Sequence, residues 1–171
     1  KPLAIHFDNG GNTNLAIKNI ERLVSKLKID YQTHVVDWEG FSKLQKAFLN
    51  STVKNAEIPT DHGIMASLYK AAIKNNCKYI IGGGNLATEL IMPFEWSEDA
   101  KDLRLLKAVA KSSKIKLTKS LPLMGYRDLL IYTIIRRKKC ISILNYIDYD
   151  KNAAQELLLN NYGWEKYAIK H

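Results

Sequence analysis

Apolar positions in the first half of the chain switch between two spacings. Leu3 to Phe7 forms a compact run that stops at the polar turn Asp8-Asn9-Gly10-Gly11-Asn12, which predicts a strand. From about Asn14 to Lys28, Ile17, Ile20, Val24 and Leu27 recur three or four residues apart, the spacing of one helix face. Tyr31 to Val36 predicts a second strand, closed by Asp37-Trp38, and Phe41, Leu44, Phe48 and Leu49 mark a second helix. After Ile58-Pro59, Thr60 or Asp61 is placed to cap a third helix that runs through Ile64, Leu68, Ala71 and Ala72. Tyr79 to Ile81 predicts a third strand, feeding Gly82-Gly83-Gly84.

This alternation predicts an α/β fold with a parallel sheet covered by helices on both faces, and with ligands at the carboxyl ends of its strands. Past residue 98 the alternation lapses into a helical C-terminal part. Leu103, Leu106, Val109 and Ala110 predict one helix, Gly125 to Arg136 another, and Asn152 to Asn161 a last one before Gly163-Trp164; Ile141 to Ile147 reads as extended. No internal repeat or low-complexity linker interrupts the chain.

At 171 residues and 46% hydrophobic, the chain can bury one sizeable core and is too short for two, so residues 1–171 are expected to form a single α/β domain. Its formal charge of +9 favours anionic partners. Much of the excess sits in Lys107, Lys111, Lys114, Lys116, Lys119 and the run Arg136-Arg137-Lys138-Lys139, a distribution expected of solvated faces. Without an RNA-recognition signature or basic-aromatic interleaving, nucleic acid is not the expected partner. Cys77 and Cys140 are too few and too far apart for a disulfide framework or a zinc cluster, so both are expected to be buried and inert in a cytoplasmic protein. No apolar stretch reaches the roughly 18 residues of a membrane span. The opening Lys-Pro-Leu-Ala-Ile-His-Phe lacks the plan of a signal peptide and reads as a strand entered abruptly.

Polar residues gather after each predicted strand: Asp8, Asn9 and Gly10; Asp37; then Gly82 to Asn85 with Thr88 and Glu89. A glycine turn at a strand end lets a ligand approach the backbone, and a following helix start offers N–H groups to an anion such as phosphate. The alternative is a plain strand-to-helix turn, since the run is neither a Walker loop nor a dinucleotide fingerprint. For Asp8 and Asn9 the alternative is an Asx turn, and for Glu89 a capping carboxylate. Asp61 and His62 open a helix near the same rim, where His62 either meets an acidic substrate or acts in proton transfer, or is a surface residue beside a cap. His6 and His34 lie within strand patterns and are expected to be satisfied core histidines. Trp96 is the best-placed stacking candidate.

His6-Phe7-Asp8-Asn9-Gly10 resembles the second-strand segment of the PP-loop ATP pyrophosphatases. Together with Thr33-His34-Val35-Val36-Asp37-Trp38, Glu57-Ile58-Pro59-Thr60-Asp61-His62, Gly83-Gly84-Asn85-Leu86-Ala87-Thr88-Glu89 and Leu144-Asn145-Tyr146-Ile147-Asp148-Tyr149, it resembles the N-acetyl sugar amidotransferases of bacterial surface-polysaccharide (O-antigen) biosynthesis. The resemblance covers nearly the whole chain and implies an adenine nucleotide alpha hydrolase-like fold of the PP-loop ATPase type.

It further implies ATP-dependent conversion of an acetamido group of an N-acetylated acidic sugar to an acetamidino group, through an adenylylated intermediate. ATP and Mg²⁺ are the implied cofactors, and the implied ammonia source is a glutaminase subunit resembling that of imidazole glycerol phosphate synthase. Asn85, Glu89, His62 and Asp61 are the implied catalytic residues. Phe7, Asp8, Asn9, Gly10, Gly83, Gly84 and Thr88 are the implied nucleotide-binding set, with no resident metal ligands. The family's Ser-Gly-Gly-Lys-Asp-Ser type loop and cysteine-rich segment lie upstream of the matching residues. The chain therefore reads as an internal piece of a longer enzyme, inactive alone. Two other readings stay open: another PP-loop adenylylating enzyme such as a tRNA-modifying one, and a non-catalytic interaction module. A homo-oligomer is compatible with either.

Overall fold

The computed structural model describes residues 1–85 and 98–166. Strand β1 (Leu3–Asp8) leads to helix α1 (Asn14–Leu27), strand β2 (Asp30–Val35) and helices α2 (Trp38–Leu49) and α3 (Ile58–Lys74). Strand β3 (Tyr79–Gly82) follows, then α4 (Leu103–Ser112), α5 (Tyr126–Leu130) continued by a π-helical turn over Ile131–Ile135, β4 (Lys139–Ser142), a 3₁₀ turn (Ile143–Tyr146) and α6 (Lys151–Tyr162). Among the described residues no helix is long and apolar enough to cross a membrane.

Local chemistry explains the boundaries. Thr13 Oγ1 accepts from the Ala16 N–H at 3.2 Å to open α1, and Asp37 does the same for Gly40 at 2.8 Å to open α2. α3 begins at Ile58, earlier than a Thr60 or Asp61 cap would place it, because Pro59 suits the first helical turn, where a backbone N–H is dispensable.

The sheet differs from the expected one. β1 pairs in parallel with β2, from Leu3 opposite Asp30 to Asp8 opposite Val35, whereas β3 pairs in parallel with β4, from Tyr79 opposite Lys139 to Gly82 opposite Ser142. These are two separate two-stranded sheets rather than one sheet holding all three early strands. A cavity of about 440 Å³ separates β1 from β3. The partner of β3 escaped sequence reading because Lys139–Ser142 follows a basic run and only one of its residues is strongly apolar. Of the stretch expected to be extended over 141–147, only its first two residues belong to a strand, and a 3₁₀ turn follows.

The main core joins Phe7 and Val36 to Phe41, Leu44 and Phe48 of α2, Ile58 of α3, and Leu106, Val109 and Ala110 of α4. Phe7 is its hinge, packing edge-on against Phe41 at 6.1 Å and lying over α3 at Gly63. A Cβ at Gly63 would sit 2.3 Å from Phe7 Cζ, so only glycine lets the helix approach the strand this closely. A smaller core gathers Ala66, Tyr69 and Ala72 of α3 with Ile80 and Met124. α3 thus floors both sheets.

Candidate functional site

The end of β1 is built as a tight polar turn. Asp8 Oδ1 accepts from the Gly10 N–H at 2.9 Å and from Asn12 Nδ2 at 3.1 Å, while Asn9 Oδ1 accepts from the Gly11 N–H at 3.1 Å. The Gly10 N–H, more than any other group, holds the Asp8 carboxyl below its ordinary pKa; Asn12 and His6 act in the same direction. Gly10 adopts φ +81°, and a Cβ there would come 2.8 Å from Trp38 Cε3. Backbone conformation and the indole therefore both demand glycine. Asn9 Nδ2 reaches Thr60 Oγ1 at 3.5 Å, which brings the turn to the first turn of α3.

His62 lies deeper than the sequence suggests. It is 1% exposed, and its Nδ1 lies 2.7 Å from the Ala100 carbonyl oxygen while its Nε2 accepts from the Met124 N–H at 3.2 Å. That pairing fixes the neutral tautomer with the proton on Nδ1. Burial lowers its pKa, and the nearby Lys70 adds to this. With both nitrogens engaged by backbone, the ring is a tie between α3 and two loops, which rules out the alternative of a surface residue beside a cap and leaves neither ring nitrogen free for the substrate contact or proton transfer expected of it. Asp61 is half-buried, and burial, with Glu57 nearby, raises its carboxyl above the ordinary range.

At the end of β3, Gly83 is exposed and Gly84 partly so, whereas Asn85 is buried and engaged with other groups. Neither Gly82 nor Gly83 takes a left-handed conformation, and a Cβ at either would meet no atom within 4 Å. Among the described residues neither chain geometry nor crowding requires these glycines. Thr88, Glu89 and Trp96 lie outside the described residues.

β1 and β3 leave the same cavity, which is lined by residues 1–3 and 5 on one side and 77–81 on the other. The residues at their carboxyl ends, Asp8 to Gly10 and Gly83 to Asn85, do not line it. None of the three described cavities is lined by Asp8, Asn9, Gly10, Asp61, His62, Gly83, Gly84 or Asn85. Among the described residues no cluster of three or more His, Cys, Asp or Glu side chains could hold a metal ion.

Other side chains take expected or corrected places. His6 Nδ1 lies 2.8 Å from the Tyr31 hydroxyl and His34 Nε2 lies 2.8 Å from the Ser120 carbonyl oxygen, so both are satisfied. Cys77 is half-buried and Cys140 exposed, which corrects the expectation that both are buried. The basic run is solvated except at Lys138, whose residue is buried. Sequence reading missed Trp38 as the wall behind Gly10 and Thr60 as the partner of Asn9. The aromatic directly after Asp37 was the available signal for the first, and the second had none.

Comparison with family models, with curated proteins and with solved structures returns no match for this chain.

Proposed function

We propose that the chain is the nucleotide-facing part of an ATP-dependent amidotransferase that converts an acetamido group of an N-acetylated acidic sugar to an acetamidino group. The observation that carries this reading is the bare backbone at Gly82 and Gly83, where no described neighbour requires glycine and room is left for a ligand at a parallel strand's carboxyl end.

The chemistry asks for such a place. An amide oxygen is a poor leaving group, and ATP supplies the remedy by transferring AMP to that oxygen with release of pyrophosphate, after which ammonia displaces AMP. In this reading the N–H groups of Gly83 and Gly84 face the departing negative charge, and Asn85 orients the amide under attack. Asp8 and Asn9 hold the facing turn in shape through the bonds to Gly10, Gly11 and Asn12. The described residues offer open backbone for phosphate, and in this reading Mg²⁺ enters with the nucleotide.

The deciding experiment uses the full-length protein supplied with ATP, Mg²⁺, ammonia and an N-acetylated acidic sugar. Pyrophosphate release that requires the sugar is the expected result. Asn85→Ala is expected to abolish it while the protein remains folded, with the unfolding midpoint lowered only as far as the loss of one buried polar contact requires. Near-normal release by that variant would reduce the glycine turn to a structural feature and remove the site.

A further inference from the structure

The β1–β2 sheet meets α3 in two different ways. Phe7 stands opposite His34 in the parallel register, and their rings stack with centroids 6.2 Å apart and 6° between planes. Phe7 also closes on α3 at Gly63, so the two layers touch there. Two residues back along the same strand face come Ile5 and its partner Gln32. One turn on along the same helix face comes Ser67, followed by Lys70 and Lys74. Here the layers part. A cavity of about 350 Å³ opens, with Ile5, Gln32 and His34 on its sheet side and Ser67, Lys70 and Lys74 on its helix side.

The helix side of this cavity is polar where a helix meeting a sheet ordinarily presents an apolar stripe. Ser67 is 5% exposed, and its buried hydroxyl has no hydrogen-bond partner. A hydroxyl in that state weighs against folding unless a bound group meets it. Lys70 and Lys74 stand one turn apart, both exposed, and neither pairs with a carboxylate among the described residues. Like charges at this spacing repel each other. No acidic residue is among those lining the cavity, so nothing there offsets the two cations. A single water would satisfy Ser67 and leave the paired charges unanswered. An anion answers both.

We infer that this cavity binds the phosphoryl group of a small phosphorylated molecule, held by Lys70 and Lys74, the Gln32 amide and the Ser67 hydroxyl. Two ammonium groups, an amide and a hydroxyl supply more donors than the two oxygens of a carboxylate can use, and they suit the three terminal oxygens of a phosphate ester. The space lies at the lower end of small-molecule pockets, roughly 300–1,000 Å³, and its position between a sheet and a helix admits a metabolite rather than a macromolecule. No residue of the Asp8 turn or the glycine turn lines it, so it is separate from the site of the proposed activity and does not depend on that reading. The bound molecule bridges α3 to β1 and β2 where the layers do not pack directly.

The test is amide NMR of the full-length protein titrated with glycerol 3-phosphate and, separately, with inorganic phosphate, at constant ionic strength. Saturable shifts at Gln32, Ser67, Lys70 and Lys74 are expected with both, tighter with the ester, and none with acetate at the same concentration. Lys70→Gln is expected to weaken the ester at least about tenfold and Ser67→Ala about threefold. Ser67→Ala stays folded, because it removes a hydroxyl that the fold leaves unpaired, so weaker binding by that variant reports the lost contact. Lys107→Gln removes a cation on α4 and is expected to leave binding unchanged. Shifts that do not saturate, an equal response to acetate, or equal weakening by Lys107→Gln would reduce the effect to general charge and overturn the site. Full-strength binding by both Lys70→Gln and Ser67→Ala overturns it as well. A response to inorganic phosphate with none to the ester overturns the assigned ligand.

Discussion

The two sheets rest on the same helix but are finished to different degrees. Around β1 and β2, Phe7 is pressed against Gly63, Phe41 and His34, and α2 and α4 close the layer beneath. Around β3 and β4 the core is smaller, and Ile81, Ile134, Ile135 and Tyr146 remain open to solvent. Glycine shows the contrast best. At Gly63 the absent Cβ is demanded by a neighbouring ring, and at Gly82 and Gly83 no described residue demands it. The first region uses its special residues to close a core, the second to keep backbone open.

The sharpest way to break this contrast is to add one methyl group on each side of it. Gly63→Ala should destabilise by about 3 kcal/mol, because the Phe7 ring must move or the helix must retreat. Gly83→Ala should stay within about 0.5 kcal/mol of the parent, as expected at a site with no neighbour to strain. Urea unfolding of both variants checks the pair, and equal midpoints would erase the distinction.

Next in size is His62→Gln, which keeps a polar side chain but cannot span both loops. It should lose about 2 kcal/mol, since the Ala100 carbonyl or the Met124 N–H is left unpaired. The sign of its pH dependence follows from the lowered pKa. The unfolded chain takes up a proton near the ordinary value of 6.5 while the folded chain still resists it, so this contribution is complete above about 6.5 and fades as pH falls toward the folded-state value. The parent should lose stability over that acid window at up to about 1.4 kcal/mol per pH unit, and the variant should not. Parallel slopes would show that other groups govern the acid limb.

Asp8→Ala should cost about 1 kcal/mol by freeing the Gly10 N–H and Asn12 from their shared acceptor. Because the Asp8 carboxyl is held below its ordinary value of 3.8, its contribution is present above that pH and is lost as pH falls through the folded-state value. Thermal melts at pH 7 and in strong acid check this, and a difference between variant and parent that persists unchanged in acid would assign the effect to packing. The smallest change is a gain. Asp61 prefers its protonated form in the fold, so its ionisation weighs against folding as pH rises above 3.8 through the raised value. Asp61→Asn should stabilise by a few tenths of a kcal/mol at pH 7, a small effect because the group is only half-buried. A destabilised variant would show that the carboxylate has a favourable partner.

Periodicity located α1, α2, α3 and α4 because each carries apolar residues at helical spacing, and it located β1 and β3 because each is an apolar run bounded by a polar turn; β2 is mostly polar and was marked by the Asp37-Trp38 that follows it. It could not say which strands pair. Pairing depends on edges, and a side-chain pattern describes faces. β4 was obscured for the same reason that much of its sheet is exposed: the Lys139–Ser142 segment is mostly polar. At the candidate site, the Asx turn at Asp8 was legible because Asp and Asn side chains bond locally two residues ahead. The burial of His62 was not legible. It arises from loops around Ala100 and Met124, brought to the helix from far along the chain.

Long-range closure also sets an order of events. The Asn19 amide on α1 donates to the Glu165 carbonyl at 2.9 Å and accepts from the Glu165 N–H at 2.9 Å, and Lys26 reaches the Asn161 carbonyl at 3.0 Å. On a ribosome, α1 emerges long before the residues that complete this clasp exist, so its buried Asn19 must stay hydrated until synthesis reaches them. The β1–β2 unit can form early from nearby contacts, while the docking of α6 waits for closure of a loop of 146 residues. Of the described helices, α1 is thus the first to be made and the last to be secured.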